Sequence, residues 1–364
     1  MKAPPPRDNQ EVMQTTRQAT VCSGIEGMTV ALKGLPWAAV FFSEIEPFPC
    51  AVLKHHYPNI PNLGDMTAIK GANYANQIDV LAGGTPCQAF SLAGHRGGLQ
   101  DPRGRLMLAF VGLARDARVP WLVWENVPGV LSQDRGHAFA VFLTLLTGHP
   151  IEPPTQGWKT FGLATPATPE DYGVCWRVLD AQYARVDGYP RALPQRRRRV
   201  WLVAHRGDWQ GPARVLYESP ESLGPCPPPR PMDAAEDSAT GRRGPLSVPL
   251  PILSHRDLSA VKSRFEPISP TLTTCEPHAI ALQGQPLRHL TPLECERLMG
   301  FPDGYTDIPL PSKRGARSLC EPSGRPPSVR APKTARYKAL GNSWAINCAR
   351  WVLRRLDREL HPPC

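Results

Sequence analysis

The stretch Ala19-Thr20-Val21-Cys22-Ser23-Gly24-Ile25-Glu26-Gly27 decides the fold. A short apolar run stops at a turn of small residues, and Val30–Leu35 then fits a helix. The same unit recurs down the chain. Ala38–Phe42 ends at Ser43-Glu44 and precedes a helical stretch over Phe48–His55. Ile78–Ala82 ends at Gly83-Gly84 ahead of helical spacing over Leu106–Ala114, and Trp121–Trp124 ends at Glu125 ahead of Phe139–Leu146. Val178–Tyr183 and Arg199–Ala204 read as further strands. Short apolar strands alternating with helices predict a parallel α/β sheet. Ligands of such sheets lie beyond the C-terminal strand ends, where loops are anchored by the sheet yet face an open crevice. Gly24, Glu44, Cys87 and Glu125 all fall at or just after such ends.

Composition bounds the rest. The chain has 364 residues, 41% of them hydrophobic, which suits one large domain or two. Its 43 prolines are concentrated, with 14 in residues 205–287 and 6 in 307–338. Long regular helices are excluded from 205–287, which reads as a small irregular module. Residues 1–17 read as a mobile polar tail. Residues 288–306 are helical again, with Thr291 as N-cap and Pro292 at the first helical position. A basic loop over 307–336 and a closing helix over 343–359 complete the chain, and no internal repeat is visible. No apolar run approaches the ~18–20 residues of a membrane span. The N-terminus lacks the apolar stretch of a signal peptide. The ten cysteines include no C-x-x-C pair, so a zinc site is not expected, and they read as reduced thiols of a cytosolic protein. The net charge of +10 permits a nucleic-acid partner without requiring one.

Six pieces carry chemistry, and each has an ordinary alternative. The Ser23–Gly27 turn lets a ligand approach backbone N–H groups, or is simply a tight turn. Glu44 lies 20 residues after Gly24, the usual offset of about 20 for an acid that holds ribose hydroxyls; it could equally be a surface carboxylate. Asp65, in Gly64-Asp65-Met66, could bind an adenine amino group or serve a turn. Cys87, in Gly83-Gly84-Thr85-Pro86-Cys87-Gln88-Ala89-Phe90-Ser91, is a candidate nucleophile at the mouth of a strand, although a lone thiol is more often inert. Glu125, in Trp124-Glu125-Asn126-Val127-Pro128-Gly129, offers an acid/base partner or a cap. In Gln195-Arg196-Arg197-Arg198-Arg199, strand alternation puts Arg197 and Arg199 on one face and Arg196 and Arg198 on the other. Lastly, Asn342 or Ser343, in Gly341-Asn342-Ser343-Trp344, either caps the last helix or binds a small ligand.

In this order the pieces resemble the cytosine-C5 DNA methyltransferase family across roughly Ala19–Val352. The most specific matches are Pro86-Cys87-Gln88, Glu125-Asn126-Val127, Gln195-x-Arg197-x-Arg199 and Gly341-Asn342-Ser343. Asp101-Pro102-Arg103-Gly104 and Leu290-Thr291-Pro292-Leu293-Glu294-Cys295 through Gly300-Phe301-Pro302 add to them. The resemblance implies a Rossmann-like S-adenosylmethionine-dependent sheet over 18–204 and 288–364, with the target-recognition region in 205–287. It implies that Cys87 attacks C6 of a flipped cytosine, that Glu125 binds N3 and the 4-amino group, and that Arg197 or Arg199 binds O2. For S-adenosyl-L-methionine it implies contacts from Ser23, Gly24, Ile25, Glu26, Gly27, Glu44, Ile45, Asp65, Met66, Gly84, Pro86, Leu106, Asn342 and Ser343. Gln88, Ser91 and Arg103 are implied on the DNA side. Two departures stand out: the family's Phe-x-Gly-x-Gly turn has Cys22 for the Phe and Glu26 for the second Gly, and Thr85 stands where Phe or Pro is frequent.

The expected activity is therefore DNA (cytosine-5-)-methylation of duplex DNA by a cytoplasmic monomer, with a cognate restriction endonuclease as a candidate partner. The same chemistry on tRNA, a silent cofactor- and DNA-binding module, and a nicotinamide-dependent dehydrogenase are the rivals; the missing Gly-x-Gly-x-x-Gly counts against the last. Charge distribution refines the DNA reading. Residues 205–287 are nearly neutral, whereas the late loop and Arg196–Arg199 are strongly basic. This predicts that Lys313, Arg314 and Arg317 grip phosphate while the neutral module reads bases.

Overall fold

The structure, a computed structural model, describes residues 15–85, 104–189, 192–217, 252–253, 279–280, 288–311 and 328–362. Strands β1 (Thr16–Val21), β2 (Trp37–Ser43), β3 (Val80–Gly83), β4 (Trp121–Asn126), β5 (Phe161–Ala164), β6 (Tyr172–Asp180) and β7 (Arg198–Arg206) form one sheet. Its order is β2-β1-β3-β4-β7-β6-β5. Helices α1 (Gly27–Ala31), α2 (Pro47–His56), α3 (Gly104–Asp116) and α4 (His137–Thr147) follow the first four strands in turn. After β7 come α5 (Gln210–Leu216), α6 (Pro292–Met299), α7 (Lys333–Asn342) and α8 (Ile346–Leu360).

Strands β1 to β4 are mutually parallel, but β7 runs antiparallel to β4, β6 to β7 and β5 to β6. The sheet is thus mixed rather than parallel. The reason lies in the connections: the 165–171 and 181–197 links hold no helix among their described residues, and a direct return makes an antiparallel neighbour. Alternation along each strand feeds two cores. Val80, Ala82, Trp121, Val123, Trp201 and Val203 face the layer that contains Met28 of α1 and Val352, Leu353 and Leu356 of α8. Leu81, Leu122, Trp124, Val200 and Leu202 face Phe110 of α3 and Phe139 and Phe142 of α4. Burial on both faces explains why these strands read as continuous apolar runs.

Several expected boundaries move. β1 begins at Thr16, inside the stretch that reads as a tail. α1 spans Gly27–Ala31 instead of Val30–Leu35, because Glu26 caps it early and Gly34, at φ 83°, turns the chain away. β6 starts at Tyr172 and stops at Asp180, whose carboxylate accepts from Gln182 N and Arg197 N and closes the turn. Residues 205–217 belong to the main body: β7 continues to Arg206, and Arg355 of α8 donates to the carbonyls of Arg214, Val215 and Tyr217 around α5. Most of the 205–287 module lies outside the described residues, apart from a small antiparallel sheet of 252–253, 279–280 and 288–289. Within 307–336, Pro309–Pro311 pairs antiparallel with Ser328–Arg330, and α7 already begins at Lys333.

The predicted cap of α6 is present, but the helix spans only Pro292–Met299 instead of 288–306. Thr291 accepts from Glu294 N, the Glu294 carboxylate accepts from Thr291 N, Pro292 opens the helix, and Gly300 at φ 82° ends it. The buried carboxylate of Glu296 then accepts from Gly304 N at 2.7 Å, Thr306 N at 2.8 Å and the Arg336 guanidinium at 3.1 Å. This knot ties α6 to α7, which walls the site described below. Glu296→Ala leaves the partly buried Arg336 and two backbone N–H groups short of an acceptor, so it should cost about 3–5 kcal/mol in urea unfolding. A loss below about 0.5 kcal/mol, the range of ordinary surface substitutions, would show that the knot contributes nothing.

Candidate functional site

Beyond the C-terminal ends of β1 to β4 lies a cleft of ≈ 810 Å³, continuous with an inner recess of ≈ 50 Å³. The turn after β1 forms its floor. Cys22, Gly24 and Glu26 all adopt left-handed backbone, at φ 49°, 56° and 61°. The turn is stitched to the end of β2, with Ser23 N donating to Ser43 O and Ser43 N to Ser23 Oγ. No atom lies within 4 Å of where a Cβ on Gly24 would stand, so its backbone faces open space. Gly24 N donates to Glu44 Oε2 at 2.8 Å, and Ile45 N and Glu46 N donate to Oε1 at 2.7 and 2.8 Å. Three backbone donors therefore fix Glu44 over the turn; Oε1 takes two of them, and Oε2, which takes one, retains a lone pair for an incoming hydroxyl. Ile45, 68% exposed, lines the cleft beside Phe48, Met66 and Leu106. Asp65 also lines it; Oδ1 accepts from Thr67 N and Oγ1 while Oδ2 takes no part in that cap. Cys22 lines both spaces, and burial pushes its thiol up to about 12. Ile25 differs: its side chain is packed in the core, and only its backbone belongs to the turn.

Glu26 stands on the wall of the recess at 1% exposure. It is the N-cap of α1: Oε1 accepts from Thr29 N and Thr29 Oγ1, and Oε2 accepts from Thr20 Oγ1 at 2.7 Å. Burial raises its carboxyl to about 7, with these hydrogen bonds pulling the other way.

Glu125, at the end of β4, is 7% exposed and lines both spaces. Its Oε1 forms an ion pair with Arg199 Nε at 3.2 Å, in a geometry that leaves the oxygen without a hydrogen bond. Burial raises this carboxyl above its ordinary range, opposed by Arg199 and then Arg197. The predicted alternation is present: Gln195 and Arg197 are buried, Arg196 and Arg198 are exposed, and Arg197 and Arg199 line the cleft. Arg197 donates to the carbonyls of Gly341 at 2.9 Å and Ser343 at 2.5 Å, so it holds the link between α7 and α8. Burial, then repulsion by Arg199, pushes its guanidinium down to about 9, with Glu125 opposing. It remains charged at neutral pH.

Asn342 and Ser343 line the recess, but they do not open the last helix. Asn342 closes α7, Ser343 caps that end, and Ala345 is the N-cap of α8. Gly27 packs against this link: a Cβ there would meet Ser343 Oγ and Trp344 Cβ, both at 3.3 Å. Gly84 lines both spaces, and Thr85 beside it is held by Trp124 Nε1 on its hydroxyl at 2.9 Å and Asn126 Nδ2 on its carbonyl at 2.7 Å. Sequence reasoning missed Asn126 as an anchor, although its place beside Glu125 was the available signal. It also missed the wall made by Ala335, Lys338 and Ala339, which had no motif to mark it. Pro86, Cys87, Gln88, Ser91, Arg103, Lys313, Arg314 and Arg317 lie outside the described residues. Among the described residues no group of three or more His, Cys, Asp or Glu could hold a metal ion, and no helix is long and apolar enough to cross a membrane.

The profile of a family described as C-5 cytosine-specific DNA methylase matches residues 17–148. The chain is 34% identical, over 467 aligned positions, to a DNA N-6-adenine-methyltransferase of Escherichia phage P1, covering 94% of this chain and 61% of that protein. It is 33% identical over 192 residues to the Type II methyltransferase M.AquIA of Picosynechococcus, covering 50% of this chain and 69% of that one. The chain thus spans about three-fifths of the first relative and just over two-thirds of the second. Among solved structures, the Dnmt2 methyltransferase of S. pombe superposes with a TM-score of 0.58 over 96% of this chain and 100% of that one. At 16% identity, that likeness is one of fold.

The raised Glu26 carboxyl makes a signed prediction. A carboxyl whose folded pKa exceeds its unfolded one stabilises fully below the unfolded value and loses that contribution as pH rises through the folded value. Relative to Glu26→Gln, the native protein should therefore lose up to about 3 kcal/mol of unfolding free energy between pH ~4.5 and ~7. Urea unfolding of both proteins across that window measures it; a pH-independent difference would mean that Glu26 titrates normally.

Proposed function

The chain belongs to the C-5 cytosine-specific DNA methylase family, and from that premise we propose that it methylates C5 of cytosine in duplex DNA, using S-adenosyl-L-methionine and acting as a monomer. The observation that carries this reading is the buried Glu125 carboxyl, with one oxygen free of hydrogen bonds, set beside Arg199 in the cleft reached from Gly84 and Thr85. Two residues further on in the sequence stands Cys87.

Cytosine C5 is a poor nucleophile, and the chain's side chains supply what it lacks. The Cys87 thiolate adds to C6, forming an S–C6 bond and leaving C5 enamine-like. Glu125 in its protonated form donates to N3 and accepts from the 4-amino group, and so stabilises the charge that develops on the ring. A raised carboxyl suits that role. Arg199 donates to O2, and Arg197, committed to the carbonyls of Gly341 and Ser343, positions it from behind. After methylation the C5 proton passes to solvent water, its electron pair restores the C5–C6 double bond, and the S–C6 bond breaks to return the Cys87 thiolate. A base in a duplex cannot enter such a cleft in place, so it is flipped out.

S-adenosyl-L-methionine supplies the electrophilic methyl. The open backbone at Gly24 and the spare lone pair on Glu44 Oε2 fit its methionine and ribose parts. Ile45 covers the adenine face, with Met66 and Leu106 alongside; Asp65 takes the amino group; Asn342 and Ser343 close the inner end. The phage P1 relative bears an adenine activity in its name, but much of that protein lies outside the match. Adenine N6 carries its own lone pair and needs no thiol addition, so the cysteine, glutamate and arginine together favour cytosine.

Nucleoside mass spectrometry after incubation with the donor and either duplex DNA or tRNA tests the reading. 5-Methylcytosine in DNA is expected; N6-methyladenine, or label on tRNA alone, would overturn it, and cofactor binding without any label would indicate a silent module. A duplex containing 5-fluorocytosine should trap a covalent complex through Cys87 that Cys87→Ser cannot form, and Glu125→Gln should lower kcat by about 10²–10⁴. Neutralising Lys313, Arg314 and Arg317 together should reduce the slope of log K against log salt by about 3. An unchanged slope would remove the late loop from the phosphate-binding surface.

A further inference from the structure

The turn at the donor's methionine end carries a feature for which the reaction above has no use. Glu26 occupies a left-handed position, φ 61°, where glycine is the least strained residue. It spends a carboxylate on capping a helix of five residues, a task that a neutral serine, threonine or asparagine performs as well. Its oxygens are held by hydroxyls and one backbone N–H, and no lysine or arginine among the described residues contributes to its ionisation. Glu125, the other carboxyl of the recess, is balanced by Arg199 and Arg197. Glu26 is therefore the recess carboxyl whose charge, once ionised, meets no cation of the protein.

We propose that Glu26 is a specificity-determining residue that favours the sulfonium donor, S-adenosyl-L-methionine, over the spent thioether, S-adenosyl-L-homocysteine. This rests on the assignment of the cleft to that donor. The two ligands share their adenine, ribose and amino-acid parts, so contacts to those parts cancel in the ratio of affinities. They differ by one methyl and one positive charge at sulfur. A unit charge 4–8 Å from the sulfonium changes affinity by about two- to sixfold in a water-like dielectric, and by more in a dry recess. An uncompensated carboxylate on the recess wall places that charge where it discriminates.

The groups that face Glu26 from neighbouring elements are Thr20 of β1, Thr29 of α1, Tyr57 at the C-terminal cap of α2, Tyr305 and, across the recess, Glu125 of β4. Both tyrosines are held neutral by burial. Because Glu125 also titrates, the comparison is made between native protein and Glu26→Gln at each pH. Isothermal titration calorimetry of the full chain with each ligand, without DNA, reads the result. At pH 8.5 the dissociation constant of S-adenosyl-L-homocysteine divided by that of S-adenosyl-L-methionine should fall at least about twofold in Glu26→Gln, through weaker donor binding. In the native protein the same ratio should fall between pH 8.5 and pH 6, and in the variant it should change less. An equal ratio in native and variant overturns the inference. If neither ligand binds the native protein, the cleft assignment itself fails, which is a separate outcome. Should Glu26→Gln not fold, Glu26→Gly, which suits the backbone, and the native pH series decide in the same way.

Discussion

The site depends on one register, the antiparallel pairing of β7 with β4. Glu125 lies opposite Trp201 and Asn126 opposite Val200, so the start of β7 stands beside the end of β4. Period-2 alternation then directs Arg197 and Arg199 to the cleft and sends Val200 and Leu202 into one core, Trp201 and Val203 into the other. A slip of one residue would exchange every one of these assignments, burying Arg198 and exposing Arg199. The fully buried indoles of Trp124 and Trp201 make that exchange prohibitively costly. Core packing, rather than the ion pair, keeps Arg199 3.2 Å from Glu125.

The same strand couples the two ends of the cleft. Arg197 reaches through to the carbonyls of Gly341 and Ser343, so the link that carries Asn342 and Ser343 is tied to the strand that holds Glu125's partner. Burying two guanidiniums and one carboxyl is expensive unless each is hydrogen-bonded or paired. Here two backbone carbonyls, left without helical partners at the end of α7, take up one guanidinium. The result is a polarised cleft, with positive charge beside Glu125 and an uncompensated carboxyl at Glu26. On the proposed reaction electrons enter the pyrimidine at the first end while a cationic sulfur loses its methyl at the second. The fixed positive charge meets charge that develops on the ring and needs no reorganisation as the reaction proceeds, whereas a carboxylate at Glu26 favours the charged donor before transfer and so acts on binding rather than on the chemical step.

What was legible in the sequence was local. The strand ends at Ser23, Glu44 and Glu125, the Thr291-Pro292-Glu294 cap and the arginine alternation each follow from a few adjacent residues. What was not legible came from pairing at a distance or from helices without apolar periodicity. Nothing near Val178 reveals that β6 returns beside β7 instead of crossing over. α5 contains Gly211 and Pro212, and α7 follows a proline- and arginine-rich stretch, so neither gave a helical signal. The position of Asn342 and Ser343 between two helices depends on Arg197, more than a hundred residues earlier. Glu26 reads in the sequence as a carboxylate added to a ligand turn. It proves to be a helix cap as well, because a left-handed residue before α1 places its side chain within reach of Thr29 N.

The basic charge also changes meaning once it is located. Half of the Arg196–Arg199 run points inward. Arg336 is occupied with Glu296, Arg350 with Asp187 and the carbonyls of Ala31 and Lys33, and Arg355 with three carbonyls around α5. Arginine suits such work because its planar fork satisfies several acceptors at once while remaining charged. Arg336 and Arg350 are matched by carboxylates and add nothing to the net charge of +10, while Arg197 and Arg355 spend theirs on backbone carbonyls. Counterion release counts only cations that reach phosphates. On the proposed function, the candidates for phosphate contact are Lys313, Arg314 and Arg317, a basic run of the sequence second in density to Arg196–Arg199.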